Sequence, residues 1–134
     1  MAVWPYWYPV AHKDELEQLC AAMIEQGIVC CSDSAFSLPV VLIKKHDGSW
    51  RFCVEYRALN TLTVKDTFPI LVINELLDKL HGACFFTKLD LRSGYHQVVC
   101  MWLADVHKIE FRTHDGLYEF LVMPFGLYNA WATF

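Results

Sequence analysis

The chain has 134 residues, 55% hydrophobic and 19% charged, with 11 Lys and Arg against 15 Asp and Glu for a formal net charge of −4. That length suits one domain, the hydrophobic content excludes intrinsic disorder, and charged residues interrupt every apolar run before it reaches the roughly 20 residues of a membrane span. A mean hydropathy of +0.26 with five Trp, six Tyr and nine Phe is rich for a free-standing domain, so part of that surface is expected to meet a partner or further chain.

Trp4-Pro5-Tyr6-Trp7-Tyr8-Pro9 reads as an extended arm, because proline biases the residue before it away from helix. From Asp14 to Gln26, Leu16, Leu19, Cys20, Met23 and Ile24 recur on one face of a helix, with Gly27 as its C′ residue. Pro39 to Lys45 is a β-branched run, and His46-Asp47-Gly48-Ser49 is a turn. Trp50, Phe52, Val54 and Tyr56 then alternate with Arg51, Cys53, Glu55 and Arg57, predicting a β-hairpin with one apolar and one charged face. Ile73, Leu76, Leu77 and Leu80 predict a short helix closed by Gly82, and Cys84 to Leu91 a mostly buried strand. A second hairpin is expected from Lys108 to Thr113, through His114-Asp115-Gly116, to Leu117 to Val122. Asn129 is placed to cap a last helix that has barely begun at Phe134, which suggests truncation.

The six cysteines (20, 30, 31, 53, 84, 100) contain no Cys-x-x-Cys, and the six histidines lack ligand spacing, which argues against structural zinc. Met1 to Glu15 has neither the basic start nor the apolar core of a signal peptide. Buried thiols in a reducing intracellular compartment, cytoplasmic or nuclear and not secreted, are therefore expected, with no membrane partner. Between Pro39 and Lys65, Lys44, Lys45, Arg51, Arg57 and Lys65 outweigh Asp47 and Glu55, a local +3 that leaves −7 for the remainder. A basic hairpin on an acidic body suits a phosphate-facing surface; a solvated hairpin face is the simpler alternative.

Asp90 ends the apolar run Phe85-Phe86-Thr87-Lys88-Leu89-Asp90-Leu91, where a carboxylate is costly unless paired, metal-bound or capping a turn. The surrounding stretch resembles the reverse transcriptase of gypsy-type long-terminal-repeat retrotransposons. The matching residues are Phe36 to Val40, Lys44-Lys45-His46-Asp47-Gly48-Ser49-Trp50-Arg51-Phe52-Cys53-Val54-Glu55-Tyr56-Arg57-Ala58-Leu59-Asn60, and Phe85 to Gln97 around Leu89-Asp90-Leu91-Arg92-Ser93-Gly94-Tyr95-His96-Gln97. Phe111-Arg112-Thr113, Tyr118-Glu119-Phe120 and Met123-Pro124-Phe125-Gly126-Leu127 follow in the same order.

The resemblance implies an α+β fold, a fingers and palm fragment of a right-hand polymerase with two β-hairpins and short helices. Residues 1–65 would be fingers, 66–97 the start of the palm, and 98–134 fingers again. The implied activity is RNA-directed DNA polymerisation on a template-primer with deoxynucleoside triphosphates. Asp90 would be the first of three carboxylates holding two Mg²⁺ ions, with the Leu91 carbonyl as a further ligand. Tyr95 would be the steric gate against a ribose 2′ hydroxyl. Arg92, Ser93 and Gly94 would meet the triphosphate through backbone N–H groups. Lys45 and Arg51 would clamp its outer phosphates, Phe125 and Gly126 would lie beside the incoming nucleotide, and Arg57 would touch the template.

Two divalent ions about 3.8 Å apart repel by about 17 kcal/mol at an effective dielectric near 20, more than one carboxylate offsets. In this family two further Asp follow in an aromatic-x-Asp-Asp turn downstream, and no Asp-Asp pair occurs here. The isolated chain is therefore expected to bind metal poorly and not to polymerise, the remaining palm, thumb and ribonuclease H lying elsewhere. Trp4 and Trp7 stand where Arg is usual, Cys30-Cys31 where Arg-Pro is usual, and Tyr128 and Trp131 where Thr and Pro are usual. These departures keep open a noncatalytic, decayed or co-opted remnant that binds nucleic acid or protein.

Overall fold

In the computed structural model, residues 3, 6–67, 72–91 and 94–133 are described, without the side chains of Tyr95, Val98 and Trp131. The first helix, α1 (Val10–Glu25), begins after Pro9, whose missing N–H suits a helix entry, and Gly27 leaves it at φ 68°, a left-handed conformation open to glycine. It lays Leu16 and Cys20 on a five-stranded sheet.

The strands are β1 (Val29–Cys31), β2 (Leu38–Lys44), β3 (Trp50–Val54), β4 (Phe111–Arg112) and β5 (Leu117–Phe120), in the order β1-β5-β4-β2-β3. Both expected hairpins form. β2 and β3 pair antiparallel from Val40↔Val54 to Lys44↔Trp50, and β4 pairs antiparallel with β5. The two hairpins join through a parallel contact of two rungs, Leu38↔Phe111 and Pro39↔Arg112. The second hairpin is shorter than its sequence suggests. Lys108 lies in a 3-10 turn (His107–Ile109) that follows helix α5 (Leu103–Val106).

The core sits between α1 and the sheet, around Leu16, Val29, Leu38, Val40, Phe111 and Phe120. Phe111 is fully buried, with its ring 5.1 Å from Phe52 and 5.2 Å from Phe120, a burial of about 2 kcal/mol at the usual transfer energy. Of the cysteines only Cys20 is buried, and its thiol is pushed up to about 12 by desolvation. Cys31, Cys84 and Cys100 are exposed, which corrects the expectation of uniformly buried thiols. All six are free, and no described helix is long and apolar enough to cross a membrane.

The main correction concerns Cys84 to Leu91. This segment forms no strand and is exposed throughout, with Phe85 at 96% and Leu89 at 84%. A strand exists by pairing its backbone with a neighbour, and none of the described strands pairs with it. The helix before it, α3 (Ile73–Lys79), forms as expected, but its apolar residues Ile73, Leu76 and Leu77 also face solvent. Besides α5, two further helices fall where none was expected, α2 (Arg57–Leu62) and α4 (Gly94–Val98), and the latter carries Tyr95. The last helix is α6 (Ala130–Thr133). Asn129 precedes it, but its side chain binds the Val64 carbonyl and the Asp66 N–H, so it ties two segments together instead of capping α6.

Candidate functional site

The tip of the first hairpin is set by its turn. The Lys45 N–H donates to the Ser49 carbonyl at 2.8 Å, the Gly48 N–H donates to the Lys45 carbonyl, and the Asp47 carboxylate accepts from both the backbone N–H and the hydroxyl of Ser49. Gly48 sits at φ 84°, where a β-carbon is strained. The Ser49 bonds hold the Asp47 carboxyl below its ordinary value of 3.8. Ile43 faces Arg51 in the register, so Lys45, two residues on, shares the Arg51 face of the ribbon.

The Pro124-Phe125-Gly126 turn, which borders the same cleft as this hairpin, is fixed from two sides. The Asn60 amide within α2 donates to the Gly126 carbonyl at 2.8 Å and accepts from the Tyr128 N–H at 2.9 Å. On the other side, the Met123 N–H bonds the Val99 carbonyl and the Met101 N–H bonds the Leu121 carbonyl, around a Cys100·Val122 bridge. That second fastening follows α4 directly and brings His96 against the rings of Phe125 at 5.5 Å and Phe120 at 6.1 Å.

Between these parts lies a cleft of about 640 Å³ along the edge strand β3. Lys45, Arg51, Phe125 and Gly126 all line it, with Trp50, Tyr56 and His96, and no Asp or Glu is among the lining residues. Tyr56 is 2% exposed, and its hydroxyl has no hydrogen-bond partner among the described residues. Burial pushes the His96 imidazole below its usual value of 6.5. A cavity of about 490 Å³ beside α2 and α6 holds none of the expected site residues.

Of the other expected residues, those that are described do not line this cleft. Asp90 and Leu91 are exposed on the unpaired segment and do not line it. Arg57 is exposed and pairs with Glu55 at 2.7 Å. Its guanidinium holds the Glu55 carboxyl below the usual range. Gly94 is buried at the start of α4, while Arg92, Ser93 and the Tyr95 side chain lie outside the described residues. Among the described residues no three His, Cys, Asp or Glu side chains cluster closely enough to hold a metal ion.

A family model described as "Reverse transcriptase (RNA-dependent DNA polymerase)" matches residues 43–134. The chain belongs to the reverse transcriptase family. It is 40% identical to the retrovirus-related Pol polyprotein from transposon opus of Drosophila melanogaster, over 96% of this chain and 13% of that protein. It is 41% identical to the corresponding polyprotein from transposon 297 of the same organism, over 95% of this chain and 13% of that one. The chain thus spans about an eighth of these relatives, a fragment of a reverse transcriptase domain of retrotransposon type. Its fold matches the foamy viral protease-reverse transcriptase solved in complex with dsDNA at a TM-score of 0.80 and 19% identity, covering 99% of this chain and 28% of that one. The fingers and palm fold of a reverse transcriptase is thereby established for the fragment.

His96 and Tyr56 line the cleft without having been singled out as site residues by the sequence. Both adjoin expected site residues, Tyr95 and Arg57, and that adjacency was the signal available.

Proposed function

We propose that this chain is the nucleotide-facing fingers segment and palm entrance of an RNA-directed DNA polymerase, working within a longer polypeptide on an RNA or DNA template-primer. One observation carries the reading: Lys45 and Arg51 share a cleft with Phe125 and Gly126, and no acidic side chain lines it. A forked guanidinium and a compact ammonium suit the outer phosphates of a deoxynucleoside triphosphate. Phe125 offers an aromatic face beside them, and Arg57 faces solvent where a template phosphate can replace its Glu55 partner. Residues 1–65 and 98–134 are read as fingers and 66–97 as the start of the palm.

Mg²⁺ chemistry belongs to the whole enzyme in this reading. Asp90 is proposed as one carboxylate of a set whose other members these 134 residues do not provide, so the isolated chain is inactive. The test is a chimera in which this segment replaces its counterpart in a longer retrotransposon reverse transcriptase. Primer extension on an RNA template is expected, Lys45→Ala and Arg51→Ala each raising KM for nucleotide about tenfold or more and Asp90→Asn abolishing extension. Full activity in Asp90→Asn rejects the assignment.

A second reading, a noncatalytic retroelement remnant acting as an interaction module, is favoured by the exposed Phe85, Phe86 and Leu89. Binding of single-stranded RNA that Lys45→Ala and Arg51→Ala leave unchanged, alongside a dead chimera, is the outcome that selects it.

A further inference from the structure

The cleft holds a third nitrogen base whose role the phosphate clamp does not use. His96 lines it from α4, together with Lys45 and Arg51 of the first hairpin. Its ring lies between Phe120, which belongs to the core, and Phe125, which borders the cleft. Among the described residues, the titratable or charged groups facing the same space are Lys45 at the hairpin tip, Arg51 and Cys53 on β3, and Tyr56 before α2. No carboxylate stands among them. Glu119, next to Phe120 on β5, is turned to the other side of the strand, where it accepts from Ser32 and Cys30.

We propose that His96 is the switchable third cation of this cleft: neutral while the cleft is empty, it takes up a proton when a phosphate-type oxyanion enters beside Lys45 and Arg51. The empty state disfavours imidazolium because apolar rings replace water around the imidazole, and this burial lowers its pKa from the ordinary 6.5. A polyanion held by Lys45 and Arg51 in the same cleft opposes that effect, because an opposite charge within about 4–6 Å moves a pKa by about 1–3 units toward the charged form. Anion binding and proton uptake are then linked, and the affinity of the cleft for polyphosphate rises as pH falls. The inference rests on the reading of Lys45 and Arg51 as an oxyanion clamp, and it adds a residue and a proton to that clamp.

Sulfate is the probe, since it keeps its charge across the working range. The imidazole Cε1–H signals of the intact chain are followed by NMR from about pH 5 to about pH 8, with and without sulfate at constant ionic strength. The His96 signal is assigned by its loss in His96→Gln. Sulfate is expected to raise the His96 midpoint by about one unit, and the double variant Lys45→Ala, Arg51→Ala to abolish that rise. If the Lys45 and Arg51 side-chain signals respond to sulfate while the His96 midpoint stays put, the third-cation role is overturned and the clamp survives. If none of the three responds, the clamp reading falls as well. A midpoint that rises equally in the double variant places the anion elsewhere and also overturns the proposal.

Discussion

Asn60 holds Gly126 by its carbonyl: the amide of the one donates to the backbone oxygen of the other at 2.8 Å, across a long stretch of sequence. The same side chain accepts from the Tyr128 N–H, so a single residue holds the chain at two points just after Phe125, which lines the cleft. Asn60→Ala removes both bonds and is expected to lower stability by about 1–2 kcal/mol in urea denaturation. Asn60→Asp keeps the acceptor for Tyr128 but sets a carboxylate against the Gly126 carbonyl. It should be no more stable than the alanine variant.

Gly126 itself adopts φ 102°, and a β-carbon there would stand 3.4 Å from the Tyr56 ring. Gly126→Ala combines a forbidden backbone with a tight contact. A loss of about 1–2 kcal/mol is expected, with weaker nucleotide binding in the chimera because Phe125 moves with its neighbour. Equal denaturation midpoints for variant and parent would disprove this.

Glu110 is fully buried on the β1 side of the sheet, where the Ser32 hydroxyl stands 3.3 Å from it and 2.8 Å from Glu119. Ser32 has one proton to give and so serves one of the two carboxylates at a time, while Oε1 of Glu110 is buried with no hydrogen-bond partner among the described residues. Desolvation, reinforced by the Glu119 charge, holds the Glu110 carboxyl above its ordinary value of 4.5. A raised folded pKa means a stabilising contribution present below the unfolded value and lost as pH rises through the folded one. Glu110→Gln keeps a donor and cannot ionise. Its stability relative to the parent should therefore grow from about pH 4 to about pH 8, measured by urea midpoints. A constant difference would show that Glu110 does not titrate differently on folding.

The Arg57 to Glu55 pair is at the surface, with the Arg57 side chain 82% exposed. Such pairs contribute little, so Arg57→Ala should shift stability by less than about 1 kcal/mol. If Arg57 meets a template phosphate, the same substitution lowers affinity for nucleic acid uniformly across sequences and reduces the salt slope by about 1. Binding titrations at several salt concentrations give both numbers.

Phe85 and Leu89 expose nearly all of their apolar surface. The paired change Phe85→Ser, Leu89→Ser is expected to leave the unfolding midpoint unchanged while lowering self-association and dye binding, read by light scattering and ANS fluorescence. A drop in the midpoint would mean these side chains are packed.

The first hairpin was legible because its signals are local: alternating side chains, the His46 to Ser49 turn and a glycine at positive φ coincide within a few residues. Likewise α1 could be read from its spacing and Gly27. Cys84 to Leu91 misled for the opposite reason. Its alternation describes a chain able to pair, while pairing itself depends on a neighbour that no residue within the segment specifies. The cleft was half legible. Lys45, Arg51, Phe125 and Gly126 stand out by family likeness, whereas His96 reaches them through the Cys100·Val122 bridge and Tyr56 through its place ahead of α2. The burial of Glu110 carried no signal in the sequence, because the hairpin strand expected from Lys108 to Thr113 includes it without specifying which face is covered.

The parallel seam between the hairpins has just two rungs, Leu38↔Phe111 and Pro39↔Arg112, yet it joins parts of the chain far apart in order of synthesis. Each ribbon closes over a short loop, while the seam, like the pairing of β1 with β5, carries the larger loop-closure cost of joining distant segments. A growing polypeptide would accordingly hold the Lys45 and Arg51 ribbon ready well before the Phe125 turn arrives to complete the opposite wall.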